Sequence, residues 1–192
     1  MASDVSIVNA ALIKLGEATI TSLTQDSKPA RLANAVYSDL RDAVLMAHPW
    51  NFALAEASLA ADGTSPTWTY DYRYALPETP SKCLRVLRIE DDDQEGVEWE
   101  VFGRYIHTDQ GAPLRIKYVA QVTDAGQYTP LFVETLAARL AAELAEPLKQ
   151  SSSMTQAMWE LYERKLAQAR SADAQEGTPQ NITANEWLAA RL

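Results

Sequence analysis

Cysteine is nearly missing from this 192-residue chain. Cys83 stands alone, so no internal disulfide can form, and the fold must hold without one, as in a reducing compartment. Histidine is scarce as well: His48 and His107 cannot make a His-rich or Cys/His zinc site. No run of 18 apolar residues occurs, so no segment reads as a membrane span. Only seven glycines are present, with no GxGxxG and no Walker loop. GxSxG, HExxH and EF-hand spacings are missing too. Met1-Ala2-Ser3-Asp4 lacks a basic start and an apolar h-region, so no signal peptide is expected there. Basic residues are the minority, 17 against 26 acidic, which gives a net charge of −9 and a pI near 4.7. That balance disfavours a surface built to wrap nucleic acid or to lie on an anionic membrane.

What is present reads as a globular chain: 47% hydrophobic and 22% charged residues. The length suits one domain with an inserted subdomain, able to bury roughly two-thirds of its unfolded surface. Val5, Val8, Leu12 and Leu15 recur at helical spacing and predict a first helix over Asp4–Leu15, ended by Gly16. Ile20 and Leu23 read as anchors under the loop that follows. A second helix is expected after Asp26 or Ser27, with Pro29 in its first turn. Leu32, Val36, Leu40 and Val44 form its stripe, and it stops near His48-Pro49.

Residues 50–128 change character. Trp68, Tyr70, Tyr72 and Tyr74 alternate with Thr69, Asp71 and Arg73, which predicts a strand with its aromatics on one face. Residues 83–89 predict another, followed by an acidic turn over Glu90–Glu95. Val97, Trp99 and Val101, then Tyr105 to His107, then Leu114, Ile116 and Tyr118 complete an antiparallel meander of about five strands. A third helix, Pro130–Pro147, is apolar on most sides and belongs at the centre. A fourth runs from Ser151-Ser152-Ser153 to about Ala172, with Met154, Met158, Leu161, Tyr162, Leu166 and Ala169 as its stripe. The expected class is therefore α+β. Residues 1–49 and 129–172 form a bundle of about four helices, 50–128 an inserted β-rich region, and 173–192 an extended docking tail. The tail ends on Trp187, Leu188, Arg191 and Leu192, apolar side chains with no easy place in the core.

Residues able to carry chemistry are few, and no catalytic residue, metal site or cofactor is assigned. Cys83 reads as a small strand residue turned into a core. His48, at a helix end, is placed to satisfy the last carbonyls, and His107 is given a structural place in its strand. The acids Asp91, Asp92, Asp93 and Glu95 fall in a solvated turn, and Glu98 and Glu100 on the polar face of a strand. A pair of carboxylates across a cleft would suit glycan hydrolysis, which keeps that reading in view.

Asn9–Leu23 (NAALIKLGEATITSL), followed by Arg41–Ala53 (RDAVLMAHPWNFA), resembles the head-to-tail adaptor, or tail tubular protein A, family of tailed bacteriophages and prophages. The matching positions are Leu15-Gly16-Glu17, Ile20, Leu23, Arg41-Asp42 and His48-Pro49-Trp50-Asn51-Phe52. Tyr74-Ala75-Leu76-Pro77 leads, as in that family, into a Leu84-Arg85-Val86 strand. Relatives often carry Asp-Cys before that strand, where this chain has Lys82-Cys83.

The resemblance implies a structural virion protein. It implies a homo-oligomeric ring, usually of about twelve copies, between the portal protein and the tail nozzle or stopper. DNA would pass through its channel without sequence-specific binding, in a neck assembled in the host cytoplasm, with no membrane partner. It also places portal docking on Trp187, Leu188, Arg191 and Leu192. Asp91, Asp92, Asp93 and Glu95 become candidates for lining the channel or facing the tail, where carboxylates would repel phosphate. Two rivals stay open: a cell-wall glycan hydrolase using Glu98 or Glu100, and a DNA-packaging accessory protein.

Overall fold

The computed structural model describes residues 2–91 and 97–176. It is an α+β fold of four helices and two small antiparallel sheets. Helix α1 is Asp4–Lys14 and α2 is Lys28–Met46. Strands β1 (Leu54–Leu59), β2 (Tyr72–Ala75), β3 (Cys83–Ile89), β4 (Trp99–Phe102), β5 (Tyr105–Thr108) and β6 (Leu114–Ala120) follow. Helices α3 (Pro130–Lys149) and α4 (Ser152–Ala174) complete the described chain.

The helices begin where short polar side chains meet the first free amides. Ser3 and Ser6 form a reciprocal capping box on α1. Ser27, Thr129 and Ser151 cap α2, α3 and α4, and Pro29 and Pro130 sit in first turns that need no proline N–H. Gly16, at φ +64°, ends α1: its N–H bonds the Ile13 carbonyl, and the Glu17 N–H reaches back to Leu12 at 2.9 Å. That pattern needs a left-handed residue, which glycine adopts without strain. α3 packs against α1, α2 and α4. Its Leu136, Ala138, Leu140, Ala141 and Ala145 are wholly buried, so the central place expected of it is the one it takes. It runs through Pro147 to Lys149 instead of stopping there, and ends on Gln150 in the left-handed region.

The β-rich region departs from a single meander. Its strands form two three-stranded sheets, β1-β6-β3 and β2-β5-β4. In the first, β6 lies between strands far from it in sequence, so no hairpin signal could announce the pairing. β1 had no sequence reading at all; Ala55 and Ala57 give its inward face little bulk. The aromatic strand is shorter than expected. It starts at Tyr72, because Thr69 at φ +70° breaks the extended run. Tyr70 and Tyr74 are buried, whereas Tyr72 is 40% and Trp68 84% exposed, so the aromatics do not share one covered face.

β3 carries the most informative local sequence. Cys83-Leu84-Arg85-Val86-Leu87-Arg88-Ile89 repeats every three residues, whereas a pleat repeats every two. Register shifts between Cys83 and Arg85, and between Val86 and Arg88, absorb the mismatch. Cys83, Val86 and Ile89 then enter a second core with Tyr74, Leu76, Ile106, Leu114, Ile116 and Tyr118. Leu84 and Leu87, the inserted residues, pack against the helical core. Arg85 and Arg88 fall opposite Val119 and Lys117 on β6.

Candidate functional site

Several polar side chains of the helical part join segments that are distant in sequence. Asn9 on α1 clamps the backbone of Ile20. Its Nδ2 donates to the Ile20 carbonyl at 2.9 Å, and its Oδ1 accepts the Ile20 N–H at 2.8 Å. Lys149, at the end of α3, reaches the Glu17 carboxylate at 2.8 Å and the Gly16 carbonyl at 3.3 Å. On α2, Arg41 pairs with Asp42 at 2.8 Å, and Asp42 accepts from Gln121 Nε2 at 2.6 Å, tying α2 to the segment after β6. The Tyr37 hydroxyl donates to Asp4 at 2.8 Å, and burial together with that carboxylate raises its pKa. Burial likewise pushes Tyr128 up to about 12; its hydroxyl donates to the Val122 carbonyl.

The second joint surrounds the His48–Phe52 turn. Trp50 is 1% exposed, meets Phe132 edge-on at 5.2 Å, and donates its indole N–H to the Val44 carbonyl at 2.9 Å. Arg170 of α4 donates to the Ala47 carbonyl. Trp50 and Arg170, not His48, thus serve the carbonyls at the end of α2. His48 Nε2 faces Asp173 Oδ2 at 3.0 Å instead. Asp173 also accepts the Asn51 backbone N–H at 3.2 Å, and its own carbonyl accepts from Asn51 Nδ2 at 2.8 Å. Sequence composition assigned Asp173 to the tail; it lies inside α4 and is 7% exposed. Its place is fixed by partners more than 120 residues away, which local composition does not contain.

The reactive candidates sit as follows. Cys83 is wholly buried, and burial lifts its thiol from 9.0 to about 11, so at neutral pH it is a thiol. His107 stands on β5 against the rings of Phe102, at 4.8 Å, and Tyr70, at 6.5 Å. Glu98 and Glu100 are exposed, Glu100 on β4 opposite His107. Asp91 is exposed just past β3 at φ +61°. Asp92, Asp93 and Glu95 lie outside the described residues, as do Trp187, Leu188, Arg191 and Leu192. Among the described residues, no group of three His, Cys, Asp or Glu side chains is placed to hold a metal ion. No helix there is long and apolar enough to cross a membrane. A surface recess of about 670 Å³ is lined by Gln156, Trp159, Glu160, Glu163 and Arg164, all from α4, so it is the open face of one helix.

Two surfaces escaped the sequence reading. On the β1-β6-β3 sheet, one face forms the second core. The opposite face carries Leu54, Val119 and Arg85 in one row, with Val119 wholly buried in the helical core, then Glu56, Lys117 and Arg88, then Ser58 and Arg115. The three-residue repeat of β3 was the available signal for its arginines. On the β2-β5-β4 sheet, Val101 is 45% and Phe102 51% exposed along β4, an edge strand.

No protein-family model matches the chain, and no curated protein matches it.

Proposed function

We propose that this chain is a head-to-tail adaptor of a tailed bacteriophage or prophage, a structural virion protein and not an enzyme. Copies of it form a ring, about twelve in number, between the portal and the tail nozzle or stopper. The ring encloses the channel through which DNA leaves the capsid, without reading its sequence. The observation that carries this reading is where the residues resembling the adaptor family sit. Gly16-Glu17, Arg41-Asp42 and the His48–Phe52 turn each join α1 or α2 to a remote segment, through Lys149, Gln121 and Asp173. A resemblance concentrated at joints is one of frame, and a rigid frame is what a load-bearing ring subunit requires.

The same joints serve docking. Asp173 and Arg170 hold the end of α4 against Asn51, His48 and Ala47. The segment carrying Trp187, Leu188, Arg191 and Leu192 follows in sequence. In this reading it binds the portal. Asp91, Asp92, Asp93 and Glu95 are the proposed channel-lining or tail-facing acids. The assembled neck forms in the host cytoplasm and stays with the virion.

The test is a Trp187→Ala exchange assayed against the portal protein from the same genome. It is expected to weaken portal capture while leaving helical circular dichroism unchanged. Unchanged capture would overturn portal docking through Trp187.

A further inference from the structure

We propose that the outer face of the β2-β5-β4 sheet, with the edge of β4, receives an extended segment of a partner protein in which arginines alternate with apolar residues. The inference goes beyond the adaptor reading and does not depend on it.

The register sorts this sheet into two faces. Tyr74, Ile106 and Thr108 are wholly buried, with Trp99 packed on the same side, and they mark the inner face. Arg73 of β2, Tyr105 and His107 of β5, and Glu100 and Phe102 of β4 point the other way. None of these five is buried: Glu100 and Phe102 are exposed, and the others are half-buried. Glu98 precedes β4 and falls on the same side, its carbonyl held by the Thr108 hydroxyl at 2.7 Å. The Phe102 ring lies 4.8 Å from His107, and Tyr70 lies 6.5 Å from it. Burial raises the Tyr70 phenol above its ordinary 10.0, and the nearby Glu100, Glu98 and Asp109 carboxylates raise it further. Rings and acids thus meet at one place.

That combination takes a guanidinium, which stacks on a ring while it pairs with a carboxylate. The protein already uses it twice within itself. Arg73 lies 4.8 Å over Tyr105 and 3.2 Å from Asp62. Arg139 lies 4.1 Å over Trp159 and 2.7 Å from Glu143. Around Phe102 and His107, no Lys or Arg among the described residues pairs with Glu98, Glu100 or Asp109. The charge of this face therefore calls for a cation from outside.

β4 sets the direction of the incoming segment. It has β5 on one side and, among the described residues, no strand on the other. A segment laid along it adds a strand through main-chain bonds. Every second side chain of that strand falls on the outer face, beside Glu98 and Glu100, and those between fall beside Val101, which is 45% exposed. Arginines suit the first set and apolar residues the second. A second copy of this chain offers no such strand from its own alternating run, Arg115-Ile116-Lys117, because β6 is paired on both sides.

The test titrates the full chain at low salt with an acetylated Thr-Arg-Val-Arg-Val-Thr amide, read by calorimetry and by amide shifts of isotope-labelled protein. Saturable binding is expected, with residues 98–102 among those that shift. Glu98→Lys/Glu100→Lys is expected to weaken it about tenfold or more, and glutamate in place of arginine in the peptide to abolish it. Phe102→Ala keeps every carboxylate and is expected to weaken binding about fivefold, which loose attraction to acids would not produce. Absence of binding, equal binding by the charge-reversed variant, or shifts confined to other elements would each overturn the proposal. So would full affinity in Phe102→Ala. The peptide variants decide the charge dependence even where a protein variant folds poorly. A gain in peptide affinity from Arg191→Ala would assign the face to this chain's own end and overturn the partner. Portal capture by the wild-type chain tests the adaptor reading separately.

Discussion

The imidazole of His48 lies 3.0 Å from the carboxylate of Asp173, a residue 125 positions later in the chain. An acid in the last turn of a helix meets the negative end of the helix dipole, which disfavours it. Asp173 is kept there by the Asn51 N–H and by His48. Replacing Asp173 with Ala is expected to lower stability by about 1–3 kcal/mol, because the Asn51 N–H and the His48 imidazole lose a charged partner. Asp173→Asn keeps an acceptor oxygen and is expected to cost less. Denaturant unfolding of the two variants gives the comparison. Hydrogen exchange over 169–176 is expected to rise more in the Ala variant.

Asn9 makes the matching clamp at the other end of the helical part. Asn9→Ala removes both of its bonds to Ile20, whose side chain is 4% exposed. A loss of about 1–3 kcal/mol is expected. Asn9→Asp keeps the acceptor and forfeits the donor, so it is expected to fall between the wild type and Asn9→Ala in urea midpoint.

The three-residue repeat of β3 predicts unequal costs for neighbouring residues. Leu87 packs against the helical core and Arg85 is exposed. Leu87→Ala is expected to cost about 1–3 kcal/mol, below a fully buried leucine, and Arg85→Ser less than about 0.5 kcal/mol. Equal costs would mean that β3 pairs in a plain two-residue register, without its shifts.

Cys83 supplies a prediction in pH. Its folded pKa, about 11, is raised above the ordinary 9.0. The unfolded chain releases this proton first, so the contribution is intact below pH 9 and is lost as pH rises toward 11. Cys83→Ala is expected to flatten the fall in stability across that window. The native thiol is expected to resist a thiol reagent at pH 8 and to react fully in denaturant.

The helices were legible because their information is local. Stripes such as Leu32, Val36, Leu40 and Val44, and caps such as Ser27, lie within a few turns of what they specify. Sheet pairing was not. β6 finds β1 and β3 across long stretches of chain, and β1 offers alanines where a bulky alternation would have marked a strand. The aromatic run at 68–74 promised a longer strand than forms, because Thr69 turns the backbone before Tyr72. Among candidate site residues, the buried place of Cys83 was readable from its strand context. The partners of His48 and Asp173 were not, since each is defined by the other.

The central claim is adaptor assembly, and the most direct measurement mixes this chain with the portal protein encoded in the same genome. Negative-stain images and the mass of the complex then decide. The account predicts a ring added to one face of the portal, with about 250 kDa of extra mass for roughly twelve copies of a 21.2 kDa chain. An intact portal that binds its other partners but takes up none of this protein would contradict it.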